Sequence, residues 1–140
     1  MAIKMRVLYY SNKGKMKSFG EAICYKFESK LEVIPPAYPC ENERLTIIGA
    51  TLGKEIPNAL RQFCASLNKS KCQNVGFYID GPKETAVELM NIVRDTGCNV
   101  FSDVHYVKGG LPFKFLGSCS EEERKAIVEW TRKMYEEVSQ

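Results

Sequence analysis

The amino-acid sequence predicts a three-layer α/β/α domain in which helices cover both faces of a five-stranded parallel sheet. Short apolar runs alternate with segments whose apolar residues recur at helical spacing, an order typical of parallel sheets. The run at residues 45–50, LTIIGA, is continuous, as expected of a strand buried on both faces. The length of 140 residues suits a single domain, which we expect to span residues 1–140.

The predicted elements follow the order β-α-β-β-α-β-α-β-α along the chain. The strands are expected at residues 5–10, 31–34, 45–50, 74–79 and 98–107. The helices are expected at residues 18–30, 58–67 and 83–95, with a final helix opened by residues 120–123.

Several helices carry packing or start signals. Phe19, Ile23 and Phe27 are four residues apart and therefore share one face of the first helix. Pro57 suits the first turn of the second helix. The last helix begins with the capping box S-x-x-E over residues 120–123. Its predicted inner face consists of Ile127, Trp130, Met134 and Val138.

The connection between the second and third strands is too short for an ordinary crossover. Only ten residues, PPAYPCENER, lie there, and three of them are prolines. A parallel crossover normally needs roughly a dozen residues or more, usually including a helix. We therefore expect the second crossover helix to be reduced or absent, with this segment crossing the sheet as an extended strap.

Composition and charge exclude several classes of protein. Lys and Arg number 20 against 17 Asp and Glu, a mild excess spread along the chain, so we expect no nucleic-acid partner. The apolar runs are far shorter than the roughly 18 residues of a membrane span. The N-terminal residues contain no long apolar stretch of the kind found in signal peptides. We expect a cytoplasmic protein without membrane contact.

The cysteines do not form a metal-binding pattern. All six are far apart, no C-x-x-C pair occurs, and the sequence contains a single histidine, His105. Zinc and iron–sulfur sites usually take closely spaced pairs of ligands. We therefore expect no metal site, and we interpret the cysteines as thiols in a reducing compartment.

The loop after the first strand has the make-up of an anion site. Residues 11–16, SNKGKM, connect the strand to a helix through a glycine-containing turn. At such a junction, unpaired backbone N–H groups and the positive end of the helix converge on one point. In α/β domains this loop commonly holds a nucleotide phosphate.

With these motifs the sequence resembles the flavodoxin family in its short form. The loop at residues 11–16 is similar to the family's phosphate loop, [S/T]-x-T-G-x-T, with Ser11 and Gly14 matching. Residues 48–57, IGATLGKEIP, are similar to the family's G-x-P-x-x-x-G-x-x-P loop, with Gly49 and Pro57 aligned. The turn at residues 80–82 stands where the family places one side of the flavin pocket. The KGGL segment at residues 108–111 is similar to a G-G-x segment of some flavodoxin-like proteins.

The resemblance implies an FMN-binding protein that transfers electrons, with strand order 2-1-3-4-5. The family wraps the phosphate with the first loop, which here is Ser11, Asn12, Lys13, Gly14, Lys15 and Met16. It brings the second and third loops to the flavin ring, which here are Thr51, Leu52 and Gly53, and then Asp80 and Gly81. The chemistry belongs to the cofactor, so no side chain is expected to act as an acid or a base.

The sequence departs from the family at two positions of the phosphate loop. Lys13 and Met16 stand where the family has hydroxyl residues. The second and third loops also lack an aromatic residue, so Leu52 is left to pack on the ring. Aromatic stacking is worth roughly 0.5–1.5 kcal/mol. We therefore expect FMN to bind more weakly than in an ordinary flavodoxin.

Two other functions remain open from the sequence. The chain could be an FMN-dependent NAD(P)H or quinone reductase, although it contains no dinucleotide fingerprint. It could also be a degenerate flavodoxin fold that has lost flavin and serves as a binding module. Of the three functions, we expect the electron carrier, which would work with a redox partner protein that the sequence does not identify. His105 and Trp130 are interpreted as structural.

Overall fold

This computed structural model describes residues 3–111, 113 and 117–140. Its strands are β1 Met5–Tyr10, β2 Leu31–Val33, β3 Leu45–Thr51, β4 Asn74–Asp80, β5 Asn99–Val100 and β6 His105–Tyr106. Its helices are α1 Gly14–Phe27, α2 Asn58–Ala65, α3 Lys83–Asp95 and α4 Glu121–Val138. Within the described ranges, no helix is both long enough and apolar enough to cross a membrane.

The sheet is parallel and has the predicted strand order. Its strands lie in the order β2-β1-β3-β4-β5, and β6 also pairs with β4. No helix lies between β2 and β3 in the described chain, which confirms the expected strap, here defined as residues 35–44. The order reverses between β1 and β3, and ligands of parallel α/β sheets bind at such a point.

The sheet separates two hydrophobic cores because successive strand residues point to opposite faces. One core includes Leu8, Ile48 and Phe77 and is covered by the strap, α2 and α3. The other includes the neighbouring residues Val7, Ile47 and Tyr78, covered by α1 and α4. The inner face predicted for the last helix is confirmed, since Ile127, Trp130, Met134 and Val138 all lie in this second core.

The predicted last strand at residues 98–107 is wrong as a single element, since it is divided into β5 and β6. The carbonyl of Asp103 accepts a hydrogen bond from Trp130 Nε1 at 2.8 Å. The Val104 N–H donates to the Ser102 carbonyl at 3.1 Å. These contacts turn the backbone away from β4, and the ladder resumes only at β6.

The first helix begins earlier than residue 18, where the sequence placed it. Helix α1 starts at Gly14 and ends at Phe27, and Glu28 follows in the left-handed conformation. Ser18 was expected near the helix start, but its hydroxyl accepts a hydrogen bond from the Cys119 N–H at 3.0 Å. Gly14 therefore belongs to the first turn of the helix, next to the loop that follows β1.

Tyr78 fills a slot between β3 and α1. Gly49 of β3 is its register partner, and a Cβ on Gly49 would lie 2.0 Å from the Tyr78 ring. A Cβ on Gly20 of α1 would lie 3.0 Å from the Tyr78 hydroxyl. That hydroxyl donates to the Met16 carbonyl at 3.1 Å. Because buried hydroxyls need a partner, this bond fixes the first turn of α1 against β4.

We expect Gly49→Ala to destabilise the fold by about 2 kcal/mol or more, because the buried Tyr78 ring cannot move without losing packing and its bond to Met16. Gly53→Ala is the matched control. It lies one loop further on, with no atom within 4 Å of its added Cβ, and should change stability by less than about 0.5 kcal/mol. Urea unfolding of both variants measures the difference. Equal urea midpoints for the two variants would contradict the tight packing of Tyr78 against Gly49.

Candidate functional site

The carboxyl ends of β1, β3 and β4 bring three side chains into one hydrogen-bonded chain. The Ser11 and Thr51 hydroxyl oxygens are 2.8 Å apart, and Thr51 Oγ1 donates to Asp80 Oδ2 at 3.3 Å. The sheet register explains the meeting, because Thr51 is the partner of Asp80. One residue from each of the three predicted loops is therefore in contact.

Lys13 closes this chain into a ring. Its ammonium group donates to Asp80 Oδ2 at 2.7 Å, and its backbone N–H donates to Ser11 Oγ at 3.0 Å. Both partners of the ion pair are partly buried. The carboxylate of Asp80 thus neutralises a lysine of the first loop, as an anionic ligand would do.

The first turn of α1 is also bonded to the protein itself. The Gly14 N–H donates to the carbonyl of Phe113 at 2.9 Å. The Lys15 ammonium pairs with Glu123 Oε2 at 2.8 Å, and this hydrogen bond is the main reason that the pKa of Glu123 lies below its ordinary value. Two groups that could hold a phosphate, one N–H and one cation, therefore have internal partners.

Three glycines that follow β6, Gly109, Gly110 and Gly117, lie close to this first turn. A Cβ on Gly109 would lie 2.2 Å from Asp80 Oδ2 and 2.8 Å from Lys13 Cδ. Gly110 and Gly117 approach Lys15, with added Cβ atoms 3.3 Å from its side chain. These glycines therefore pack against Lys13 and Lys15. Gly109, the first glycine of the KGGL motif, is needed where the backbone passes the Lys13–Asp80 pair.

Two cavities adjoin Ser11 on the β2 side of the ring. The larger, of about 490 Å³, will be called the crevice and is lined by Tyr10, Ser11, Asn12, Val33, Ile34, Thr51 and Pro57. The smaller, of about 230 Å³, will be called the lysine pocket and is lined by Tyr9, Ser11, Lys13, Lys17 and Val33. Because Ser11 and Val33 line both cavities, a single extended ligand could occupy them together.

The remaining predicted residues lie away from these cavities. Met16 and Leu52 are buried in the two cores, and the Leu52 N–H donates to the Asp80 carbonyl at 2.8 Å. Gly81 packs against the Leu52 carbonyl, which a Cβ would approach to 2.4 Å. Gly53 is exposed at the neighbouring loop. The predicted residues that line neither cavity are Gly14, Lys15, Met16, Leu52, Gly53, Asp80 and Gly81.

Sequence reasoning missed several residues that line the cavities. Tyr10, the last residue of the predicted first strand, lines the crevice next to Ser11. Val33 and Ile34 come from the end of β2, and Lys17 comes from the second turn of α1. The signal that could have found Tyr10 and Val33 was their position at the ends of strands, because strand ends at a reversal of strand order usually border a ligand.

His105 and Trp130 have structural contacts. Their rings are stacked with centroids 5.3 Å apart. Burial lowers the pKa of His105, and Asp103 acts against that shift. These contacts agree with the sequence-based interpretation of both residues as structural.

The groups at this edge of the sheet could hold an anion only by exchange of partners. A phosphate dianion needs cations and N–H donors, which Lys13, Lys17 and the first turn of α1 supply. Within the described part of the chain, Lys17 has no ion-pair partner. Lys13 is paired with Asp80, and the Gly14 N–H donates to the Phe113 carbonyl. A phosphate bound there would replace those two contacts.

Solved structures of flavoproteins and oxidoreductases resemble this chain. The flavodiiron core of Flv1 from Synechocystis superposes with a TM-score of 0.65 over 99% of this chain, at 20% identity. The rubredoxin oxygen:oxidoreductase of Desulfovibrio gigas superposes with a TM-score of 0.66 over 97% of this chain, at 11% identity. The present chain spans 36% of the length of each of these two proteins.

One similar structure matches this chain nearly end to end. It is the flavodoxin-like domain of a Synechococcus protein, with a TM-score of 0.55, 15% identity, and coverage of 93% of this chain and 99% of that domain. No protein-family model and no curated protein matches the sequence. The likeness to solved structures therefore concerns the fold, and the chain has the flavodoxin-like fold that its sequence predicted.

Proposed function

We propose that this chain binds FMN at the carboxyl edge of its sheet and acts in electron transfer. The observation that carries the proposal is the pair of adjoining cavities at the reversal of strand order, bordered by Ser11, two lysines and Tyr10. Fold likeness to proteins described as flavoproteins supports it. When bound, FMN would supply the redox chemistry.

The phosphate would lie in the lysine pocket. Lys13 and Lys17 project there from the loop and from α1, and the first turn of the same helix adds its positive end. Charge-assisted hydrogen bonds are roughly twice as strong as neutral ones. Lysines would therefore do the work that hydroxyl residues do in the family's phosphate loop.

The ring would lie in the crevice. Tyr10 offers an aromatic side chain there, and Val33 and Pro57 offer apolar contact. The aromatic and apolar contacts that the second and third loops lack would thus come from β1 and β2. An aromatic contact adds roughly 0.5–1.5 kcal/mol beyond the area it buries.

Binding would require Lys13 to exchange the Asp80 carboxylate for phosphate and Gly14 to release the Phe113 carbonyl. Each exchange has a cost, because an existing hydrogen bond or ion pair is lost when the new one forms. We therefore infer weaker binding than a loop with open donors would give. A carboxylate so close to the phosphate would also repel it.

A second candidate function follows from the same contacts. If Asp80 and Phe113 are the permanent partners of Lys13 and Gly14, the loop needs no ligand, and the domain is a flavin-free binding module. The bond lengths of 2.7 Å and 2.9 Å favour this reading, since neither contact is strained. The affinity for FMN separates the two candidates.

The first test is a titration of the colourless protein with FMN and, in parallel, with riboflavin, which lacks the phosphate. We expect saturable quenching of FMN fluorescence with a Kd on the order of micromolar. Riboflavin should bind at least tenfold more weakly, and salt should weaken the binding of FMN alone.

No binding of FMN at hundreds of micromolar would overturn the proposal and leave the flavin-free module. Equal affinities for FMN and riboflavin would contradict the phosphate site. Rapid steady-state oxidation of NADH by the FMN-loaded protein would show that the protein is a reductase and not an electron carrier.

Asp80→Asn should raise the affinity for FMN by roughly three- to tenfold, because Lys13 is released from its carboxylate partner. The affinity for riboflavin should stay the same. Glu129→Gln is the matched control, since it removes the same charge from an exposed ion pair with Arg132 on α4, which lines neither cavity, and FMN affinity should not change. A weaker affinity for FMN in Asp80→Asn would mean that the carboxylate helps to bind the ligand rather than compete with it.

A further inference from the structure

The strap is held against the segment that precedes β4 by a short run of parallel backbone pairing. Asn42 N–H donates to the Ser70 carbonyl at 3.0 Å, and Glu43 N–H donates to the Lys71 carbonyl at 2.9 Å. Gln73 N–H returns a bond to the Glu43 carbonyl at 2.9 Å. Glu43 is thereby bridged to Cys72, and the two chain segments run side by side.

This pairing brings two thiols together. Cys40 of the strap and Cys72 lie in the same buried core, with exposed fractions of 3% and 0%, and interaction between their side chains is the main influence on the pKa of each. Thr46 Oγ1 also donates to Cys72 Sγ at 3.2 Å, which orients that sulfur. All six cysteines are free thiols. Proximity of two thiols on separate segments is a precondition for a disulfide.

The surroundings make the two thiols unequal. The hydrogen bond from Cys72, helped by the nearby Arg6 guanidinium, holds the pKa of Cys40 below its ordinary value. The same contact and burial raise the pKa of Cys72. Cys40 is therefore the better nucleophile, and Cys72 is placed to act second.

Most of the strap around Cys40 lies at the protein surface. Its residues on either side of Cys40, Pro39 and Glu41, are exposed, and it contains no helix. The side chain of Glu43 is only 2% exposed, and among the described residues its Oε2 has no hydrogen-bond partner. A buried carboxylate oxygen without a hydrogen bond costs free energy, so local opening at this end of the strap would relieve that cost and would expose Cys40.

We propose that Cys40 and Cys72 form a reversible disulfide by exchange with a small disulfide such as oxidised glutathione. The Cys40 thiolate attacks one glutathione sulfur, forms a mixed disulfide and releases one glutathione thiolate. Cys72 then gives up its proton and attacks the Cys40 sulfur, which releases the second glutathione. The protein dithiol is oxidised, the glutathione disulfide is reduced to two thiols, and the strap becomes linked to the start of β4.

This site is separate from the proposed flavin site, and it is not a metal centre. No group of three or more His, Cys, Asp or Glu residues in the described ranges is arranged to hold a metal ion. The proposed reaction therefore involves thiol–disulfide exchange alone.

The test uses the full chain in glutathione buffers of increasing oxidised fraction. Samples are quenched in acid, unfolded and alkylated, and free thiols are counted by intact mass. We expect two of the six thiols to be lost together, a peptide that links Cys40 to Cys72, and recovery of both thiols in reduced buffer.

Variants show the order of the steps. Cys72→Ser should accumulate a glutathione adduct on Cys40, while Cys40→Ser should form neither adduct nor disulfide. Cys64→Ser, which removes another buried thiol, should still form the link. Six free thiols in the wild type at the highest oxidised fraction would overturn the proposal, as would a linked peptide joining any other pair. Because this readout uses the wild-type chain, it does not depend on the folding of a variant.

Discussion

The hydrogen bond from the Tyr78 hydroxyl to the Met16 carbonyl sets the geometry on which the site depends. It spans from the centre of the sheet to the first turn of α1, and two glycines make room for the ring. Met16 is itself buried and cannot shift without opening the core. The helix start is therefore fixed, and with it the positions of Lys13 and Gly14. Met16, one of the two residues that depart from the family's phosphate-loop pattern, thus anchors this loop through its backbone carbonyl.

The charge balance at the loop follows from that anchoring. Once Lys13 is held at the carboxyl edge of the sheet, the end of β4 brings Asp80 within 2.7 Å of its ammonium group. The charge of Lys13 is then neutralised without a ligand. Whether a phosphate binds depends on a difference between two ion pairs in the same place, each of a size near 1 kcal/mol. A small change in sequence at Asp80 would shift this balance in either direction.

The sequence predicted the architecture well because strand and helix signals are local. The alternation of apolar runs, the capping box at Ser120 and the short strap were all visible in the chain, and the strand order agrees. What it missed depends on contacts far apart in sequence. The break between β5 and β6 rests on the bond from Trp130 to the Asp103 carbonyl, and the start of α1 rests on a cap that uses no side chain. The crevice is lined by Val33 and Pro57, which only the folded sheet brings to Ser11.

The central claim is that phosphate exchanges with the internal partners of Gly14 and Lys13. The most direct measurement is a two-dimensional ¹H–¹⁵N NMR titration with FMN that follows the Gly14 amide. The account predicts that the amide resonances of Gly14 and Lys13 move with FMN concentration and move far less with riboflavin. Resonances of Gly14 and Lys13 that stay fixed while flavin binds elsewhere, or while no flavin binds, would contradict it.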